Sequence, residues 1–219
     1  MPEYRAVAIA DSTLEGAYGH AIHKAFFGLP NVDLVALADP VPEPRSERAA
    51  EIGNPKEYSD YRDMLAAELP DLVSICPHHF EHHGRWLLEV IESGAKGIYI
   101  EKPITASLDE ADAVVAAAES AGTKIAVAHQ NRYRPGIRRV KQLVQDGALG
   151  TLRFMNANGK CDRRGGTHDL RVLGTHLLDV LRFIAGDVVW ATGHMQEHGR
   201  DVVVGDVYAG PQGLGEMAG

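Results

Sequence analysis

Ile98-Tyr-Ile-Glu-Lys-Pro-Ile-Thr105 is an apolar run of strand length that ends in an acid, a lysine and a proline. Pro103 cannot extend a ladder, and it fixes the turn that follows. In an open α/β sheet, ligands bind just past the carboxyl ends of the strands, so Lys102 at this position faces a cofactor or a substrate. Taken alone, the triplet reads equally well as a solvated strand end, because lysine is ordinarily exposed. The surrounding sequence decides between the two.

Working outward, strand-length apolar runs alternate with helix-length segments over the first 130 or so residues. Strands are expected at Arg5 to Asp11, Val32 to Asp39, Leu72 to Cys76, Gly97 to Glu101 and Lys124 to His129. Helices are expected at Gly16 to Phe27, Pro44 to Ile52, Tyr61 to Leu69, Phe80 to Ser93 and Leu108 to Ala121. Buried strands separated by helices imply parallel βαβ units with right-handed crossovers, a doubly wound nucleotide-binding sheet. After Tyr133 the rhythm changes. Arg134-Pro-Gly136 breaks the chain, a basic amphipathic helix runs from about Ile137 to Asp146, and an alternating strand is expected at Leu152 to Asn158. A polar loop over 159–166 is followed by a helix at Gly174 to Ile184 and a strand at Val188 to His194. The expected organisation is a dinucleotide-binding domain over 1–133 and the start of a second domain over 134–219. Two strands make too small a sheet to cover a helix, so the second domain is expected to be incomplete and to expose apolar surface.

The loop after the first strand carries Leu14, Gly16 and Gly19 at the spacing of a dinucleotide fingerprint, with leucine where the first glycine belongs. Gly16 permits close backbone approach, and amides at Ala17, Tyr18 and Gly19, opening a helix, can hold a pyrophosphate. Asp39 ends the second strand about 20 residues further on, where an acid accepts hydrogen bonds from an adenosine ribose. A carboxylate there repels a 2′-phosphate, so NAD is favoured over NADP. Cys76-Pro-His-His-Phe-Glu-His-His83 follows the next strand. His79 and His83, or His78 and His82, share a helical face, yet no third ligand stands at metal-site spacing and Glu81 is out of phase. No metal is expected, and these histidines are read as lining the cofactor cleft or starting a helix.

The chain has 22 Lys+Arg against 30 Asp+Glu, a net charge of −8 with no basic run, which argues against a nucleic-acid surface. The short apolar stretch Ala6 to Ala10 is too brief for a signal sequence or a membrane span. A cytoplasmic protein without membrane partners is the expectation. Cys76 and Cys161 are the two cysteines; they form no CxxC pair and are read as free thiols.

Gly16/Gly19, Asp39, Pro77 with His82, Glu101-Lys-Pro103, Asn131-Arg-Tyr-Arg-Pro135 and Gly174-Thr-His-Leu-Leu-Asp179, in this order, resemble the glucose-fructose oxidoreductase / inositol dehydrogenase / MocA family. The resemblance spans nearly the whole chain. It implies an N-terminal Rossmann domain, a C-terminal α+β domain on an open sheet, and NAD(P)-dependent hydride transfer at a hydroxyl-bearing carbon of a sugar, polyol or cyclitol. It further implies a homo-oligomer built through the C-terminal sheet. Pro77, His82, Glu101 and Lys102 then belong to the cofactor site, Arg132 and Tyr133 to the substrate. Lys102 takes the role of the catalytic lysine that hydrogen-bonds the reacting hydroxyl, with His176 as its partner in proton transfer. That chemistry stands on its own terms, since a hydride leaves carbon readily only as the attached hydroxyl loses its proton to a base within hydrogen-bond reach.

One position departs from the pattern. Many members carry an aspartate four residues before this histidine, where the chain has Val172. Asp169 is the candidate replacement, with Arg163, Arg164 and His168 able to bind substrate oxygens if the loop curls inward. The same Arg/Gly-rich stretch also reads as a surface loop. Asp179, three after His176, is read as an orienting or capping residue. The competing reading is a nucleotide-binding member of the family that has lost its chemistry.

Overall fold

A computed structural model describes residues 3–158, 170–197, 199–209 and 215–217. It divides into two compact units, residues 1–128 and 129–219. The first is a six-stranded, all-parallel sheet of β1 (Tyr4–Ile9), β2 (Val32–Ala38), β3 (Lys56–Tyr58), β4 (Leu72–Ile75), β5 (Gly97–Ile100) and β6 (Lys124–Val127), in the order β3-β2-β1-β4-β5-β6. That order reverses between β1 and β4, which opens a crevice at the carboxyl ends of those two strands.

Helices α1 (Pro42–Glu51), α2 (Tyr61–Glu68), α3 (His83–Glu92) and α4 (Leu108–Ala121) cross between the strands. From Ala6 to Ile9, β1 is fully buried on both faces, as a central strand of a doubly wound sheet must be. Val7 and Ile9 point to one side, where they pack with Met64, Trp86, Leu87 and Val114. Ala8 and Ala10 point to the other and meet Ile22, Leu37, Ala49 and Ile52. The helix starts follow the sequence: Asp60 caps α2 through the Arg62 amide, and the Ser107 hydroxyl caps α4 through the Glu110 amide.

Three local differences from expectation have physical reasons. β3 escapes a reading by hydrophobic pattern because Lys-Glu-Tyr at a sheet edge has no apolar face; its register with Ala36–Ala38 specifies it. The expected helix from Gly16 to Phe27 is a short 3-10 segment, Gly19–Lys24, in which His20 and Ala21 have φ of 45° and 56°. Left-handed backbone at two non-glycine residues stops an α-helix from propagating, and side-chain bonds from Tyr18 and His20 hold the loop in this path. The expected strands at Leu152 to Asn158 and Val188 to His194 are not strands. Alternating apolar residues make a strand only where a neighbouring ladder pairs with them, and Phe154 and Trp190 stand exposed at 79% and 76%.

The described part of the second unit contains α5 (Pro135–Gln145) and α6 (Thr175–Ala185), the latter preceded by a π-helical turn, Leu170–Gly174. Two small antiparallel ladders complete it: β7 (Gln196–Glu197) with β8 (Arg200–Asp201), and β9 (Val207–Ala209) with β10 (Gly215–Met217). Among the described residues, no helix is long and apolar enough to cross a membrane.

Candidate functional site

The crevice between β1 and β4 is lined by the loop over 11–19 and by the segment that follows β4. Two backbone hydrogen bonds join them, Gly19 N to Cys76 O (3.0 Å) and His78 N to Gly16 O (2.9 Å). Gly16 has φ +72°, and a Cβ there would come within 3.0–3.1 Å of the His78 side chain; at Gly19 it would meet His78 and Glu101 at 2.8 Å. Both positions leave little room for a side chain, and Gly16 also has a left-handed backbone. The approach is to protein side chains, and the Gly19 amide is already engaged by Cys76. Ala17 is buried beside them.

Asp39 is fully buried at the end of β2. One carboxylate oxygen accepts from the amides of Ser12 (3.1 Å) and Val41 (2.9 Å), and the other from the Ser12 hydroxyl (2.6 Å) and the Tyr18 phenol (2.7 Å). Burial and then the Asp39 carboxylate push the Tyr18 phenol far above its usual range, so it stays a neutral donor. Beyond Asp39 lies a cavity of about 180 Å³ lined by Asp39, Pro40, Tyr61, Arg62, Arg85 and Trp86.

At the end of β5, Glu101 and Lys102 are both buried. Glu101 accepts from the Lys102 amide (2.9 Å), pairs with His20 and lies 3.5 Å from His78 Nδ1. Burial raises the Glu101 carboxyl, but the His20 contact and the neighbouring imidazoles outweigh it and hold the group below the usual carboxylate range. Spacing along the chain pairs His78 with His82 and offers no third ligand; the tertiary fold sets His20 and Glu101 beside it.

His83, which sequence reasoning passed over in favour of His82, is the residue that ties this end of the sheet together. Its ring nitrogens lie 2.7 Å from Pro103 O and 2.8 Å from Pro77 O, and its side chain is fully buried against Trp86. His82 is half-buried, its ring edge-on to Trp86 and stacked with His79. The available signal was helical phase, since His83, Trp86, Leu87 and Val90 share the buried face of α3. The Cys76 thiol is buried, and burial pushes it well above its usual range, out of reach of nucleophilic chemistry.

Burial also lowers His23, His78 and His83 below the ordinary value of 6.5. Below that pH the unfolded chain binds protons that the folded chain does not, so stability falls as the solution is acidified. Paired carboxylates such as Glu51, held down to about 2 mainly by Lys24 and His23, add to the loss at lower pH. Urea midpoints at pH 7.5, 6.5 and 5.5 are expected to decrease in that order; a midpoint that is flat or rises toward pH 5.5 contradicts the assignment.

In the second unit, Arg132 reaches Asp179 through both Nε (3.1 Å to Oδ2) and a terminal nitrogen, and stacks over Phe183. Asp179 thus orients an arginine, while Tyr133 is exposed. His129 Nδ1 lies 3.6 Å from Asp179, and its ring meets that of His176 edge-on with centroids 5.6 Å apart. The strand-end rule that singled out Lys102 would have found His129, just past β6. Val172 lies in the π-helical turn. Asp169, Arg163, Arg164, His168 and Cys161 lie outside the described residues.

A family model described as an oxidoreductase family with an NAD-binding Rossmann fold matches residues 14–129. The chain is 31% identical over 174 residues to a D-apiose dehydrogenase of Paraburkholderia graminis, covering 75% of this chain and 46% of that one. It is 32% identical over 124 residues to an NADP-named D-xylose 1-dehydrogenase of Haloferax volcanii, covering 57% and 37%. A crystal structure of an oxidoreductase from Agrobacterium radiobacter in complex with NAD+, L-tartaric acid and magnesium superposes with a TM-score of 0.69 at 22% identity, over 85% of this chain and 56% of that one. The chain spans about half the length or less of the curated relatives it matches. With the parallel sheet, the switch point after β1 and a family match over more than half its residues, this chain belongs to the glucose-fructose oxidoreductase / inositol dehydrogenase / MocA oxidoreductase family, whose NAD-binding domain is a Rossmann fold.

Proposed function

We propose that the protein carrying this chain is a nicotinamide-dependent dehydrogenase that prefers NAD and acts on a hydroxyl-bearing carbon of a sugar, polyol or cyclitol. The observation that carries the reading is one end of one sheet: the glycine loop after β1, the buried acid Asp39 after β2 and the buried Glu101-Lys102 pair after β5 all open on it. The chemistry of Asp39 fits an adenosine ribose. Its carboxylate already accepts from two hydroxyls, those of Ser12 and Tyr18, and a ribose diol offers the same donors in their place. The cavity past Asp39, lined on one side by Trp86, suits an adenine edge. When bound, nicotinamide supplies the hydride acceptor or donor.

Lys102 is assigned the proton of the reacting hydroxyl, because it stands buried at the carboxyl end of β5, where a positioned side chain can exchange a proton with a bound hydroxyl. Glu101 holds the turn through the Lys102 amide. His176 is assigned the partner role in proton transfer, and Asp169 the carboxylate absent at Val172. Pro77 and His82 are assigned to the cofactor, and Arg132, Tyr133, Arg163 and His168 to the substrate. Asp179 holds the Arg132 guanidinium in place for that role. A cytoplasmic homo-oligomer without nucleic-acid or membrane partners completes the proposal.

The NAD preference is tested by fluorescence titration with NADH and NADPH. The unmodified protein is expected to bind NADH at least about tenfold more tightly, about 1.4 kcal/mol, because a 2′-phosphate would be forced against a buried carboxylate. Asp39→Ser is expected to narrow or reverse the ratio. Equal affinities in the unmodified protein contradict it.

A further inference from the structure

We propose that His20, His78 and Glu101 form a binding site for a divalent transition-metal ion of the zinc class. The three come from separate segments: the glycine loop, the turn after β4 and the end of β5. Their ligating atoms all lie within 4.8 Å of one another. Both Nδ1 atoms face the carboxylate, that of His20 in direct contact with one oxygen and that of His78 at 3.5 Å from the other. The two imidazole rings meet edge to face, centroids 5.1 Å apart and planes at 69°. Tetrahedral bonds of about 2.1 Å place ligand atoms roughly 3.4 Å apart, which the His78–Glu101 separation already matches.

The donor set decides the class of ion. Two imidazole nitrogens and one carboxylate oxygen suit zinc or cobalt, whereas magnesium and calcium favour all-oxygen sites. The Glu101 side chain is fully buried, while the His20 and His78 side chains keep 36% and 33% of their exposure. An ion therefore reaches the cluster from solvent and retains open positions for water. The glycines let these ligands stand close to the loop: a Cβ at Gly16 would meet His78, and one at Gly19 would meet both His78 and Glu101. His83, four residues past His79, is excluded as a ligand because both its nitrogens face backbone carbonyls.

The consequence for function rests on the reading of this crevice as a dinucleotide site. An ion held here would take the Glu101 carboxylate and pin the glycine loop, so zinc and NADH would exclude each other.

Zinc titration of the cofactor-free protein against a chromophoric chelator reads the site without reference to activity. Micromolar or tighter binding is expected, with Co2+ in place of zinc developing visible absorption and Mg2+ giving no competition. His20→Ala, His78→Ala and the near-isosteric Glu101→Gln should each weaken zinc by at least about tenfold, the scale on which even outer ligands act. His79→Ala, on the same segment, should leave it unchanged. Circular dichroism identifies any variant that has unfolded, and His78→Asn then replaces His78→Ala. Absence of micromolar binding, or binding that His20 and Glu101 variants leave intact, overturns the site. Saturating NADH should weaken zinc binding; if NADH binds and zinc affinity is unmoved, mutual exclusion is wrong and the site stands. If NADH does not bind at all, the dinucleotide reading fails while the zinc series still decides the metal site.

Discussion

Lys102→Met is expected to lower turnover by roughly 10³-fold, within the range that a positioned proton-transfer group contributes, while NADH affinity changes less than about threefold. The assay is the best substrate found over a panel of aldoses and cyclitols with NAD, with cofactor affinity read separately by fluorescence. Methionine keeps the length and apolar stem of a side chain whose residue is 2% exposed, so packing at the end of β5 survives. Only the nitrogen is lost, and the role proposed for that nitrogen is on the reacting hydroxyl, a contact made chiefly in the transition state. The Lys102 amide, which holds Glu101, is untouched by the substitution. His176→Ala should cost less, because a hydroxyl proton can still leave through water. If Lys102→Met instead abolishes NADH binding and leaves turnover per bound cofactor unchanged, the lysine is a cofactor ligand and its role in proton transfer is wrong.

His83→Ala is expected to destabilise the first unit by about 3 kcal/mol, combining an emptied, fully buried volume with the loss of the ring's hydrogen bond to a buried backbone carbonyl. The histidine links Pro77 O to Pro103 O, and so joins the turn after β4 to the turn that carries Lys102. Burial favours its neutral ring, which donates to one carbonyl at a time; only the protonated ring donates to both. Urea denaturation measures the loss, with exposed Glu81→Ala as the comparison expected to stay within about 0.5 kcal/mol. NADH binding should weaken in His83→Ala as well, since the two turns would no longer be tied. A midpoint within error of the unmodified protein refutes the clamp.

The sheet was legible in the sequence because each central strand is apolar on both faces and each crossover helix has a cap or a breaker at its end. Val7 and Ile9 against Ala8 and Ala10 announce, from residue type alone, a strand covered on both sides. Asp39 and Lys102 were legible for a related reason: the strand-end rule converts a position in the chain into a position in space. Where that conversion was not applied, at His129, a candidate was passed over. The strands expected at Leu152 to Asn158 and Val188 to His194 failed because pairing is a property of two segments, and alternation within one does not supply the other.

What the sequence by itself determined is the family, the parallel sheet and the residues at its carboxyl edge, since hydrophobic period, glycine and proline positions and short motifs are all local. Only the tertiary structure decided how those residues use their hydrogen-bonding capacity. It joined Asp39 to Ser12 and Tyr18, made His83 and not His82 the buried clamp, and bent the glycine loop through a left-handed His20 onto Glu101. His20, His78 and Glu101 meet because parallel strands bring distant segments to one edge of a sheet. No spacing along the chain encodes that meeting, since the distance between side chains there is set by strand order and burial.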